Sequence, residues 1–478
     1  MIRARLLPLL PLLVALPPAC QDTAAHRAVY RDAIDDFRAR YSTASADGPG
    51  GAELREMARS ALAAARARGA LTLEDCFTAA VETSETLAIA GEAYLQQRFL
   101  YDEAIAAVLP SIRAGVTEFY QDPVKMPGTS GAGSVVTLTD EHRQVAVTFT
   151  QPLFKGLREY AALRQQTQVE EARRQDIGTS LRTLYLDVAR VFYETLGSEA
   201  DTRTYEATVR LEEERFREIQ ARWQQGLARR TELLLVESQL ESDRAKLVSA
   251  RNALRQSRLQ LAFLLGGPAD MPLQDVIPDL PAPPDPAPLL ETARVHRSDL
   301  LAREAELRAA AEQVDIARGE YWGSIDLTGS WYAYRYGYSD FQKEIDYDIL
   351  LSYTLPLFEG GATKARHASA LSTVRQAEYA RDAVRRQIEV DVRSAHLDLI
   401  SAEAQLKNLE ASLRSSDENF RLIQEEYRQG LATNLEVQTA NDLLTQVRLA
   451  LDRQRFARKV TWIQLRAAQG LLPERAGR

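Results

Sequence analysis

The sequence predicts a mainly α-helical chain, internally duplicated, in which long antiparallel coiled-coil hairpins alternate with pairs of membrane-type β-strands. Three observations carry this reading. A constant offset of 204 residues superimposes two long stretches without a gap. Residues 362–429 contain neither Gly nor Pro and keep a heptad pattern. Just before each long helix, the apolar period changes from 3.5 to 2.

The duplication is read residue by residue. Pro152-Leu153-Phe154-Lys155-Gly156 falls on Pro356-Leu357-Phe358-Glu359-Gly360. Phe216, Arg217, Ile219 and Gln220 fall on Phe420, Arg421, Ile423 and Gln424, and Gln225-Gly226-Leu227-Ala228 falls on Gln429-Gly430-Leu431-Ala432. Leu261 and Gly266 fall on Leu465 and Gly470. Upstream the offset becomes 213, pairing Ser111-Ile112 with Ser324-Ile325, so the first strand hairpin is nine residues longer. Residues 267–288 hold eight prolines, a composition suited to an extended crossover. The expected organisation is a first repeat over 71–266, with a strand hairpin at 111–153 and a helical hairpin at 157–265. The crossover 267–288 follows, then a second repeat over 289–472, with hairpins at 324–357 and 362–469.

Each long helix has a seam. Leu399, Leu406, Leu413, Phe420 and Tyr427 form one series, and Ala395, Ala402, Leu409 and Ile423 the other. The first copy carries Val191, Tyr205, Val209, Phe216, Ile219 and Trp223. Without helix breakers, 1.5 Å per residue permits a length of about 100 Å. Gly226 and Gly430 stop these helices as C′ residues, because glycine takes positive φ freely. Thr433 and Glu436 have capping-box spacing for the returning helix. The returning helices show heptads at Leu233, Leu240, Leu247, Leu254 and Leu261, and at Val437, Leu444, Leu451 and Leu465.

The strands alternate. Val145, Val147 and Phe149 interleave with Ala146, Thr148 and Thr150; Ile345, Tyr347, Ile349, Leu351 and Tyr353 interleave with polar residues, apart from Leu350. Their partners are roughly 111–120 and 324–335. Trp331, Tyr332, Tyr334, Tyr336 and Tyr338 suit a membrane-interface girdle, with a soluble sheet edge as the alternative. Residues 122–140 read as an exposed loop, and the run 128–133 lacks the Lys of a phosphate loop.

At the N-terminus, Arg3 and Arg5 precede an apolar stretch from Leu6 to Leu16, then Pro17, Pro18, Ala19 and Cys20. That order marks an export signal over residues 1–20, too short for a membrane-spanning helix. Ala19-Cys20 resembles the end of a bacterial lipoprotein signal, making Cys20 the candidate lipidation site, although Pro17 stands where Leu is usual. Cleavage near Ala19 or Ala25 is the alternative. Residues 21–70 have no counterpart in the second half, and no function is assigned to them.

Composition narrows the function. Lys and Arg total 59 against 67 Asp and Glu, a net charge of −8, with no basic tract to follow a phosphate backbone, so no nucleic-acid partner is expected. The five histidines and two cysteines never reach metal-ligand spacing, so neither metal nor cofactor is expected. Cys76 reads as a buried small hydrophobe. No hydrolase signature such as Gly-x-Ser-x-Gly or His-Glu-x-x-His is present, and the chain is not expected to be an enzyme.

The residues from Leu71 to Leu472 resemble the TolC family of bacterial outer-membrane efflux proteins. The resemblance rests on the Leu71-Thr72-Leu73-Glu74 helix start and on Leu109-Pro110-Ser111 entering a strand. The junctions at Gln151-Pro152-Leu153-Phe154 and Leu355-Pro356-Leu357-Phe358, and the two Gly-Leu-Ala tips, complete it. It implies a homotrimer whose chains each give four strands to one twelve-stranded outer-membrane β-barrel and their helices to a periplasmic α-barrel. It also implies a passive, gated exit duct of a tripartite efflux or type I secretion system. The partners would be a periplasmic adaptor protein, an inner-membrane transporter and outer-membrane lipid. Gly226, Leu227, Ala228, Gly430, Leu431 and Ala432 would then be adaptor-docking tips, and Pro152 and Pro356 strand-to-helix junctions. Glu425, Glu426, Glu436 and Asp442 are candidate pore or gate acids, with a solvated helix face as the alternative. A periplasmic adaptor is the competing reading, but an adaptor would carry one hairpin flanked by compact β domains rather than two.

Overall fold

The computed structural model describes residues 68–120, 141–267, 269–277, 280, 284–338, 342 and 346–472. Helices α1 (Leu73–Thr83) and α2 (Glu85–Ala106) lead into β1 (Ser111–Tyr120) and β2 (Glu141–Phe154). Helices α3 (Arg158–Gln224) and α4 (Arg230–Leu265) follow. The same order then repeats: α5 (Pro286–His296), α6 (Ser298–Gly319), β3 (Ser324–Tyr336), β4 (Tyr347–Thr354), α7 (Ala362–Arg428) and α8 (Asn434–Ala468). Both α3 and α7 have 67 residues, and their first residues, like their last, stand 204 apart. Cys20 and its signal, residues 21–67, the loop 121–140 with its Gly-rich run, and Ile345 lie outside the described residues.

The chain divides into two compact units, and each long helix contributes to both. One gathers the described residues up to Leu95, Ile177–His296 and those from Asp391 onward; the other comprises Gln96–Asp176 and Arg297–Val390.

In the first unit, the core gathers Leu87, Ile177, Val188, Phe192 and Leu261 around Cys76, all fully buried. Burial, reinforced by neighbouring Asp75, pushes the Cys76 thiol up to about 12, so it packs as an inert apolar group. The seams bury as their heptads require: Leu240, Leu247 and Leu261 on α4, Val437, Leu444, Leu451 and Leu465 on α8, and Val209 and Ile219 on α3. Trp223 departs from this pattern and is exposed, because α3 ends one residue later and no seam continues over it. Side chains from the helices pin the crossover. Tyr193 donates to Asp275 Oδ1 at 3.2 Å, Lys459 to the Ile277 carbonyl at 2.8 Å, and Arg458 to the Leu280 carbonyl at 3.1 Å. Helix α5 starts inside the proline-rich stretch, at Pro286, since a first-turn proline needs no N–H partner.

The second unit holds a four-stranded antiparallel sheet in the order β1-β2-β3-β4. Its register sorts side chains by face. Ile112, Ala114 and Val116 lie opposite Phe149, Val147 and Val145, and Val147 and Phe149 lie opposite Trp331 and Gly329. Ile325, Leu327, Gly329 and Trp331 lie opposite Tyr353, Leu351, Ile349 and Tyr347. Residues directly opposite share a face, so these form one apolar surface across all four strands. The other face carries Arg113, Thr148, Ser330 and Asp348 along one transverse row. The apolar surface is open: Ile112, Val116, Tyr347, Ile349 and Leu351 are each more than 60% exposed.

Pro152 lies within β2, opposite Asp326, at a register irregularity that admits a residue without an N–H. The first turn into a long helix is therefore made by Gly156 and Leu157, with φ of 70° and 62°. Their equivalents in the second copy are Gly360 and Gly361, at 62° and 91°, four and five residues after Pro356. Leu157 thus holds a conformation for which the other copy uses glycine. A Cβ on Gly156 would come within 1.9 Å of the Gly319 carbonyl oxygen, whereas one on Gly226 meets nothing within 4 Å. Gly156→Ala is expected to destabilise the protein by about 2–4 kcal/mol, and Gly226→Ala by only about 1 kcal/mol of backbone strain. Unfolding of the detergent-extracted variants checks the order; equal losses would refute it.

Candidate functional site

Both helical hairpins turn through the same backbone device. At the first, Gly226 N–H donates to the Trp223 carbonyl at 2.9 Å and Leu227 N–H to the Arg222 carbonyl at 2.8 Å. At the second, Gly430 donates to Tyr427 at 3.0 Å and Leu431 to Glu426 at 2.8 Å. These are Schellman motifs, and φ values of 75° and 79° make glycine the fitting residue. The turns lift Leu227 and Leu431 into solvent, 75% and 76% exposed, while Ala228 and Ala432 are half-buried behind them.

The tips differ just beyond the alanines. Thr433 caps α8 through a complete capping box, its Oγ1 accepting from Glu436 N–H while Glu436 Oε2 accepts from Thr433 N–H. At the equivalent position Arg229 starts α4 with no side-chain cap. The Arg215 and Arg222 guanidinium groups, both from α3, stand 6.0 and 5.8 Å from the Tyr427 ring centroid.

The four acids singled out in the sequence occupy different environments. Glu425 is exposed and accepts from Gln429 at 3.1 Å; Glu426 is exposed beside it. Glu436 serves the capping box, and the Thr433 N–H and hydroxyl hold its carboxyl below the usual range. Asp442 is half-buried and accepts from Gln239 Nε2 at 3.1 Å; desolvation, then the Asp243 charge, raises it.

Asp442 belongs to a buried polar cluster joining α3, α4 and α8 that the heptad reading passed over. Glu212 on α3, 1% exposed, accepts from Asn441 Nδ2 at 2.9 Å. Asp243 on α4, 2% exposed, accepts from Lys246 at 2.8 Å and from Gln239 Nε2 at 3.2 Å. Arg215 donates to the Asn434 carbonyl at 3.0 Å and to its side chain. Desolvation raises Glu212 and lowers Arg215. The signal was in the sequence: Glu212 stands in the series Tyr205, Glu212, Ile219, and Asp243 seven residues after Val236, positions that a seam normally fills with apolar groups.

No helix among the described residues is long and apolar enough to cross a membrane. The sheet carries the exposed apolar face, and the architecture is that of an outer-membrane channel subunit. A family model described as outer membrane efflux protein matches residues 90–267 and 289–471, one segment per repeat. The chain belongs to this family.

Solved structures share the fold. The outer membrane protein VceC of Vibrio cholerae superimposes with a TM-score of 0.72 at 17% identity, over 83% of this chain and 96% of that one. A membrane protein from Pseudomonas aeruginosa gives 0.72 at 21%, over 83% and 93%. The MtrE outer membrane channel of Neisseria gonorrhoeae, in its open state, gives 0.69 at 22%, over 83% and 88%. No relative is found among curated protein sequences. The protein is an outer-membrane efflux channel of tripartite systems, placed in the outer membrane and extending into the periplasm; nothing favours the adaptor alternative.

The capping box at the second tip gives a local test. Thr433→Ala is expected to cost about 1 kcal/mol of helix-start stability. Amide exchange over residues 434–438 should quicken while that of α4 is unchanged; an equal change in both helices would count against it.

Proposed function

We propose that three copies of this chain close one twelve-stranded barrel, and that their helices continue it as a periplasmic conduit. The observation that supports this most directly is the four-stranded sheet with one continuous apolar face. Both β1 and β4 are edges, and an edge facing hydrocarbon leaves peptide groups without partners. Pairing β1 of one copy with β4 of the next removes every edge, with the apolar face outward and the row of Arg113, Thr148, Ser330 and Asp348 inward. The long-helix seams are only half-buried at Leu406, Leu413, Phe420 and Tyr427, and neighbouring copies would cover them.

In this assembly the chain is a passive duct rather than an enzyme, and an inner-membrane transporter supplies the energy. The tips Gly226-Leu227-Ala228 and Gly430-Leu431-Ala432 dock a periplasmic adaptor through their exposed leucines. The uncapped, arginine-bearing start of α4 and the capped start of α8 offer that adaptor two different surfaces. Glu425 and Glu426 face the narrowing pore. Residues 1–20 direct export, Cys20 carries lipid, and repeats 71–266 and 289–472 flank the crossover 267–288.

Two experiments test the reading. Light scattering on protein extracted from outer membranes in mild detergent should give a protein mass near three chains; a water-soluble monomer released without detergent would overturn the barrel. Gly430→Pro should abolish export while the barrel still assembles, because proline holds φ near about −65° and lacks the N–H that bonds Tyr427. Normal export by a stably inserted variant would refute the role of the tip.

A further inference from the structure

The cluster between α3, α4 and α8 breaks the duplication. Shifting Glu212 and Asp243 by 204 residues gives Ser416 and Val447, both buried and both uncharged, so the second copy has no such pair at the matching seam positions. The first copy thus keeps two carboxylates where coiled-coil packing is satisfied without them, and an isolated buried charge is costly.

The groups that meet there are few. From α3 come Glu212 and Arg215, from α4 Asp243, Lys246 and Gln239, and from α8 Asn434, Gln438, Asn441 and Asp442. Tyr427 of α7 stands against Arg215, and the Tyr205 hydroxyl is the remaining titratable group close to Lys246. Glu218, which also acts on Arg215, is paired with Arg222 at 2.8 Å, and the remaining three carboxyls face two cations. A single amide nitrogen, Gln239 Nε2, bridges Asp243 and Asp442. Asn441 supplies a hydrogen bond to Glu212, while Arg215, on the same helix, is spent on Asn434.

The cluster is also incompletely satisfied. Gln438 and Asn434 are 8% and 6% exposed, yet Gln438 Oε1 and Asn434 Nδ2 have no hydrogen-bond partner. Gln438 lies one turn after Asn434 and one turn before Asn441, between the two rungs that join α8 to α3. A partly satisfied network at a helix contact is poised to rearrange when one of its charges changes.

We propose that the buried Glu212 carboxyl is a proton-sensitive clasp between α3 and α8, tightening the contact over the first turns of α8 when the medium turns acidic. With Glu212 ionised the group carries one uncompensated negative charge; with Glu212 protonated the three acids and two bases balance, and a new O–H donor appears in a cluster that holds one unpartnered acceptor, Gln438 Oε1. Desolvation, with the charges of Asp243 and Asp442 adding to it, makes the proton easier to acquire in the folded protein than in an open one. The sign follows: a carboxyl raised on folding favours the clasped state below its folded pKa and opposes it above. On the channel reading, acid would hold the tip-proximal helices closed and neutral pH would release them; this last step rests on the proposed function.

The test uses the full-length protein in detergent, with amide exchange followed by mass spectrometry over residues 205–219 and 434–447. After correction for intrinsic rates, wild-type exchange there should slow by about tenfold between about pH 7.5 and about pH 5.5. Glu212→Gln should be slow at both values and lose the pH response. Asn441→Asp, which adds a fourth acid, should move the response to higher pH. Glu213→Gln, which removes only a surface pair with Arg244, should behave as wild type. A wild type without the response, or Glu212→Gln retaining it, would overturn the clasp; should Glu212→Gln not fold, an unmoved midpoint in Asn441→Asp would do so. Wild-type conductance in planar bilayers separates the two claims: no pore would sink the channel reading, while the exchange result judges the clasp alone.

Discussion

A peptide group that faces hydrocarbon without a partner costs several kcal/mol, roughly the cost of an unmade hydrogen bond in an apolar medium, and this chain cannot meet that constraint alone. Its four strands pair in simple sequence order and present one apolar surface, but they leave β1 and β4 as edges. Closure by copies of the same chain is the economical solution, and it dictates much else. The strands must be equivalent in each copy, the apolar face must run unbroken across the register, and the helices that follow must supply seams on more than one side.

The duplication meets the last demand with little variation. Helices of identical length start and stop at the same offset, and all four helix ends at Gly226, Gly266, Gly430 and Gly470 place glycine at positive φ. At each of them the next N–H reaches back to the carbonyl five residues earlier, as Gly267 does to Ala262 and Leu471 to Arg466. Such ends need only a backbone conformation, so they persist while the flanking side chains diverge. The halves differ at the helix starts beyond the tips, and at the buried polar cluster that only one copy supplies with Glu212 and Asp243.

The heptads, the glycine stops and the alternation of Val145, Val147 and Phe149 were legible in the sequence because each is a local rule with a fixed period. The capping box of Thr433 and Glu436 was legible for the same reason. The polar cluster was only half legible: Glu212 and Asp243 interrupt their seams in the sequence, but their partners on two other helices are not visible there. Leu157 was hidden too, because a leucine at positive φ carries no sequence mark; only its match to Gly361 explains it.

The sequence by itself determined the repeat and the order of strand and helical hairpins, since periodicity and spacing survive without any knowledge of distance. The tertiary structure decided what the pattern leaves open. It placed Pro152 inside a strand opposite Asp326, and it joined Arg113, Thr148, Ser330 and Asp348 into one polar row. It also brought Glu212 to Asn441 across 229 residues of chain. These are contacts between segments far apart in sequence, set by register and packing, and no local rule encodes them.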